Sequence, residues 1–525
     1  MGIFIYLSIS DSITREEWKK AYEESLKLVQ AFPFYELLEE NFYGEQMYCA
    51  VPTIERERYG ETGWHTIGDY ETLKGAEDYF LPRELTDREE EGEYTDSLMG
   101  IVSAFSQIDW EDERCSHCYQ LWGNKTQGEP YHMYLLAVAC MLEARLGEKL
   151  SVYGDITRGQ CLKAVKLANQ YLDESIEPPV RCDADRFYKR VRKLPLDTGE
   201  VLDVFIHCFL GTKDAGFGEF IRKHFTENEI ESYWKERFGN TEIGTLGFDK
   251  AVHSYLVLGF SLEDLCEYMQ LSVRKGKKDY GYFVELIMQS SMHIREKDCG
   301  DCLTIDPESD RPYSIYTLMA QFFFAGAENK KVNRYMPLDD IRKILKKHLG
   351  EQCDIDLIVT QNLEKQEKKN TEDDTETLQD PSGTLNEFME IQEERLRMES
   401  EQYDVSEYDE LIYYETGDLI QPAIEKSLLK SYEFYSNIIR EDRFAELMGQ
   451  SPQDRCRYLI RNNRSITLRA EDWNHIFTDI ETRKDSFERY YPMVRVQINT
   501  EDIMDMVRSI VLNDDLFQYC KEKIR

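Results

Sequence analysis

A chain of 525 residues, 41% hydrophobic and 12% aromatic, holds more apolar material than one ordinary core uses, so the length points to about three domains and a folded rather than a disordered chain. Its 64 Lys and Arg stand against 101 Asp and Glu, a formal net charge of −37. That balance argues against binding to nucleic-acid phosphates or to anionic lipid, both of which rest on cationic side chains, and favours a basic protein partner or self-association.

Two further features bear on location. Thirteen cysteines, odd in number and irregularly spaced, predict reduced thiols and a cytoplasmic protein, not a disulfide framework. The opening MGIFIYLSISDS lacks the positive region of a signal peptide, and no window approaches the ~18 uninterrupted apolar residues that a membrane span needs.

Taken in order, Gly2 to Ile9 reads as a buried strand, and Thr14 with Glu17 as the capping box of a helix through Phe32. Met47 to Ile54 and Gly63 to Asp69 are strand candidates, followed by an expected helix around Leu73 to Phe80 closed by Pro82. Arg88 to Asp96 is an acidic run expected in an exposed loop.

The best-specified stretch runs from Glu129 to Leu172. Tyr131 to Leu146 is apolar nearly all round, which predicts a helix buried on most faces, with Gly147 at its end. A short strand follows at Leu150 to Tyr153. Gly154-Asp155 breaks it before a second helix, where Thr157 and Gln160 stand in capping-box spacing.

From Thr198 onward helical spacing dominates, with Thr226 and Glu229 as another capping box and a possible strand at Asp354 to Val359. Glu364 to Gly383 has the charge and the Pro-Ser-Gly ending of a tether. Beyond it, helices are expected over Leu385 to Met398, Ile420 to Arg440 and Ile503 to Leu512, with one exposed strand at Val494 to Ile498. The expected organisation is an α/β N-terminal domain over 1–195, a helical domain over 196–360, an acidic linker over 361–384 and a helical C-terminal domain over 385–525, α-rich overall.

Three features point to chemistry. The Gly-Asp corners at Asp69 and Asp155 place carboxylates at strand ends, where they can share a divalent cation or work with His65 as acid and base; the structural alternative is a helix cap. Cys115 and Cys118, with Cys299 and Cys302, supply four thiols for a zinc site, although the pairs lie far apart in the chain. Leu256 to Ser272 has a helix-turn-helix layout, but Glu263, Asp264 and Glu267 on its second helix would repel DNA, so an αα-hairpin is expected.

No nucleophile elbow, phosphate loop or H-E-x-x-H is present. The leading expectation is therefore a non-catalytic acidic recognition or assembly protein that acts through protein contacts and needs no cofactor. The alternative is a metal-dependent hydrolase or nuclease built on Asp69, Asp155 and His65.

Overall fold

The computed structural model describes residues 2–58, 60–85, 94–105, 113–271, 279–294, 306–311, 332, 334–371, 411–496 and 501–524. Two sheets with strands β1 to β8 occupy the N-terminal part, and many helices follow. No described helix is long and apolar enough to cross a membrane.

The chain folds into two compact units that do not follow its order: residues 1–25, 85–128 and 132–383 form one, and 26–84, 129–131 and 384–525 the other. The strands expected to share a single domain are thus divided between two. Their grouping is set by long-range packing, to which periodicity is blind.

The first unit contains a three-stranded sheet of order β7-β1-β8, built from β1 (Phe4–Ser10), β7 (Cys118–Lys125) and β8 (Leu150–Gly154) and antiparallel throughout. Between β7 and β8 runs α3 (Tyr131–Leu146), whose residues Leu135 to Leu142 are all fully buried, as its all-round apolar sequence requires. Gly147 follows at φ +61, where a side chain is disfavoured.

The outer edge of β8 is closed by side chains. Glu143, on α3, accepts from the Val152 amide and from the Val180 amide, each at 2.9 Å, and buried Arg181 donates to the Val152 carbonyl at 3.2 Å. The remaining core of this unit is helical, running from α2 (Met99–Phe105) through α5 (Ala184–Val191) and α6 (Thr198–Cys208) to the helices Leu338–Leu349 and Ile355–Thr371. The expected capping boxes at Thr14 and Thr226 are both formed.

The second unit joins a five-stranded antiparallel sheet to the C-terminal helices. It comprises β2 (Phe34–Phe42), β3 (Glu45–Pro52), β4 (Arg56–Arg58), β5 (Glu61–Asp69) and β6 (Gly75–Pro82). Tyr35, Cys49 and Ala50 share one apolar core with Leu428, Leu459, Trp473 and Ile510.

Several elements differ from expectation. The helix expected at Leu73 to Phe80 is strand β6: Tyr79 and Leu81 are buried while Phe80 between them is less so, a period of two set by pairing with β5. The possible strand at Asp354 to Val359 is helical, because Ile355 and Val359 are both buried at a spacing of one helical turn. That helix continues to Thr371, through the first part of the expected linker. Val494 and Arg495 belong to a 3-10 turn, Tyr491–Arg495, and not to a strand. The expected helix at 385–398, with the rest of the linker, lies outside the described residues.

Candidate peptide-recognition site

The corner after β8 is built from short-range necessities. Gly154 sits at φ +127, and a Cβ there would meet the Phe4 carbonyl oxygen at 2.4 Å, so no other residue fits this turn. Asp155 then pairs with the main chain of β1: its amide donates to the Phe4 carbonyl at 3.0 Å, and its Oδ2 accepts from the Phe4 amide at 2.9 Å. Burial raises the Asp155 carboxyl above its usual range, opposed by that hydrogen bond. Thr157 caps helix α4 (Arg158–Ala168), its Oγ1 accepting from the Gln160 amide at 2.9 Å.

Only half of the expected capping box forms here. The Gln160 side chain does not return to Thr157 but donates its Nε2 to the carbonyl of Arg311 at 2.6 Å. It does so because a second piece of chain, residues 306–311, is seated on the start of α4. The Gly159 amide donates to the Pro307 carbonyl at 3.0 Å, and Thr157 Oγ1 donates to the Ser309 carbonyl at 2.6 Å. The carbonyls of residues 307, 309 and 311, every second one, are thus held by α4 and its cap. The approach is close enough that a Cβ on Gly159 would lie 2.1 Å from the Glu308 carbonyl oxygen.

Charge supports the seating. Arg158 pairs with Glu308 and Lys163 with Asp310, against the electropositive start of the helix. Thr212 Oγ1 adds a bond to Glu308 Oε1 at 3.4 Å. Its neighbour Lys213 lies near Arg181 and Cys208, and burial brings its ammonium down to about 8. The segment carries its own turn, with the Glu308 amide donating to Asp306 Oδ1 at 2.9 Å. Behind Gln160, fully buried His132 shares a 2.6 Å hydrogen bond between its Nδ1 and Thr126 Oγ1, and burial lowers the imidazole to about 4, so it is neutral.

The other sequence-derived candidates have different settings. Asp69 ends β5 in the second unit, whereas Asp155 follows β8 in the first, so the two carboxylates belong to separate sheets. Both sheets are antiparallel, unlike the parallel sheets whose strand ends the expected site presumes. Neither carboxylate caps a helix: Asp69 Oδ1 accepts from the amides of Glu71 and Thr72, at 2.8 and 2.9 Å, and shapes the turn before β6. Burial pushes its carboxyl up to about 6. That turn presents the Tyr70 and Glu71 carbonyls to Arg469, which donates to them at 2.9 and 2.7 Å.

His65 lies between Arg58 and Asp78, each 3.1 Å from a ring nitrogen. Arg58 can only donate, so Nδ1 is the acceptor and Nε2 carries the proton toward Asp78. Arg58 is itself held by buried Glu36 at 2.7 Å. Cys115 ends a 3-10 turn and Cys118 opens β7, where burial raises its thiol to about 12; Cys299 and Cys302 lie outside the described residues. Among the described residues no group of three or more His, Cys, Asp or Glu is arranged to hold a metal ion.

Arg158, Gly159, Lys163 and the 306–311 segment are the residues that sequence reasoning passed over. A Gly in the first turn of an otherwise good helix was the available signal, since such a Gly costs about 1 kcal/mol against Ala unless something approaches closely. Comparison with protein-family models, curated proteins and solved structures returns no match, so the site is read from its own chemistry.

Proposed function

We propose that this protein is a non-catalytic recognition or assembly protein that acts through protein–protein contacts. The observation that supports this reading is the seating of residues 306–311 on the start of α4 by three alternate main-chain carbonyls, which is how proteins grip a peptide largely independently of its sequence. The groups that carry the corner are committed to main-chain bonds and ion pairs. None stands in the paired geometry of a nucleophile and its base.

Charge acts at two ranges. The net −37 draws basic proteins, or sets the terms of self-association, from a distance, but such a field is screened within about 8–10 Å at ordinary ionic strength. At contact range the corner is locally cationic, through Arg158 and Lys163.

Purification from the native host under gentle lysis, followed by native mass spectrometry, tests the reading. A stoichiometric protein partner or a defined oligomer is expected. A clean monomer across a range of ionic strengths would overturn it.

A further inference from the structure

We propose that the start of α4 is a docking site for an acidic peptide segment of a partner protein, and that residues 306–311 are its internal occupant, which the partner displaces. The proposal rests on the protein-contact reading above and names the chemistry of the contact.

The site has the features of a receptor for main chain plus acid. Its hydrogen-bonding groups are pre-positioned: Thr157 is held as an N-cap and Gln160 is fully buried in the first turn. Gly159 leaves the space through which a peptide backbone reaches the α4 amide. The Gln160 amide reaches the docked segment through its Nε2, which donates to the Arg311 carbonyl. Arg158 and Lys163 set the charge preference.

The charged contacts of the occupant, in contrast, are weak. Its two ion pairs are well exposed, with side chains from 34% to 59% accessible, and such pairs contribute little each. Being part of the same chain, the occupant docks as an intramolecular event. An external acidic segment that makes the same contacts therefore competes once it adds contacts of its own.

The test uses the full-length protein and a fluorescein-labelled peptide, Asp-Pro-Glu-Ser-Asp-Arg, with binding read by anisotropy. In the double variant Glu308→Ala, Asp310→Ala the internal segment loses both ion pairs while the corner keeps its residues. The peptide is expected to bind this variant about tenfold more tightly than the parent protein, the ratio that two exposed pairs supply. Adding Gly159→Ala should abolish the gain, because the new Cβ fills the position of the peptide carbonyl.

A charge swap guards against misfolded variants. Arg158→Glu should lose the acidic peptide and gain the peptide whose Glu is replaced by Lys. Equal affinity for parent and double variant would overturn the occupancy, and failure of the swap would overturn the site. Either failure leaves untouched whether a partner co-purifies, so the two proposals fall separately.

Discussion

Phe4 and Asp155 are joined by two hydrogen bonds, the amide of each residue donating to the other, to the Phe4 carbonyl at 3.0 Å and to the Asp155 carboxylate at 2.9 Å. The side-chain oxygen takes the place of a strand carbonyl and carries the ladder one residue past the end of β8. The bond needs an acceptor and no charge. Asp155→Asn should leave the urea midpoint near the parent value, whereas Asp155→Ala should cost about 1 kcal/mol by leaving the Phe4 amide without its acceptor.

Gly159→Ala separates docking from folding. The substitution raises helix propensity by about 1 kcal/mol, so α4 itself is not weakened. The Cβ nonetheless excludes the Glu308 carbonyl. Cleavage at Glu308 by a Glu-specific protease should accelerate about tenfold, equivalent to ~1.4 kcal/mol of lost docking, while the global unfolding midpoint does not fall. Unchanged cleavage would mean that the segment is not held by this contact.

Glu143 offers a sharper probe of the first unit. Both its oxygens accept from main-chain amides, so the isosteric Glu143→Gln turns an NH2 toward an N–H donor. A loss of about 1–3 kcal/mol is expected by urea denaturation. Glu143→Ala, which orphans the buried Val152 amide and the part-buried Val180 amide, should lose more.

Two buried groups make stability depend on pH with opposite signs. The folded His132 titrates near 4, below its ordinary 6.5, so the unfolded chain takes up the proton first as the solution is acidified. The stability it contributes is complete above 6.5 and is lost as pH falls toward 4, by up to about 3 kcal/mol. Asp69 is raised from 3.8 to about 6, so its contribution is present below 3.8 and is lost as pH rises through 6. Urea midpoints at about pH 7.5 and 4.5 check both. His132→Gln should flatten the acid loss, and Asp69→Asn, which keeps both bonds to Oδ1, should stabilise the protein at the higher pH.

In the second unit, Arg469 spans two carbonyls and lies 5.1 Å over the Tyr70 ring. A lysine is a point donor and cannot span both. Arg469→Lys should cost about 1–2 kcal/mol, read as a lower thermal midpoint. No shift would mean that the two bonds are replaced by water.

What the sequence disclosed follows the range of the interactions. Helix α3 was legible because an all-round apolar run has only a buried helix as its solution, and Thr14 and Thr226 were legible because a capping box spans three residues. Strand β2 was not: FYELLEENF has no clean alternation, and its role comes from pairing with β3 and β5. β6 looked helical because the pairing that gives it a period of two lies on another strand. Of the candidate site, the cap and the Gly-Asp corner were visible. Its partner was not, since Arg158 and Glu308 stand 150 residues apart and nothing local to either announces the other.

The Glu143 and Arg181 contacts to Val152 have one more consequence. Most sheets stop because the chain leaves them, and their last strand stays open to any extended peptide that drifts alongside. Here the last strand stops against a carboxylate and a guanidinium. An invading strand would have to displace two buried ionisable groups from their bonds to Val152. The small sheet is therefore closed at its β8 edge, and fibril-like growth from β8 is refused by the side chains that complete the fold.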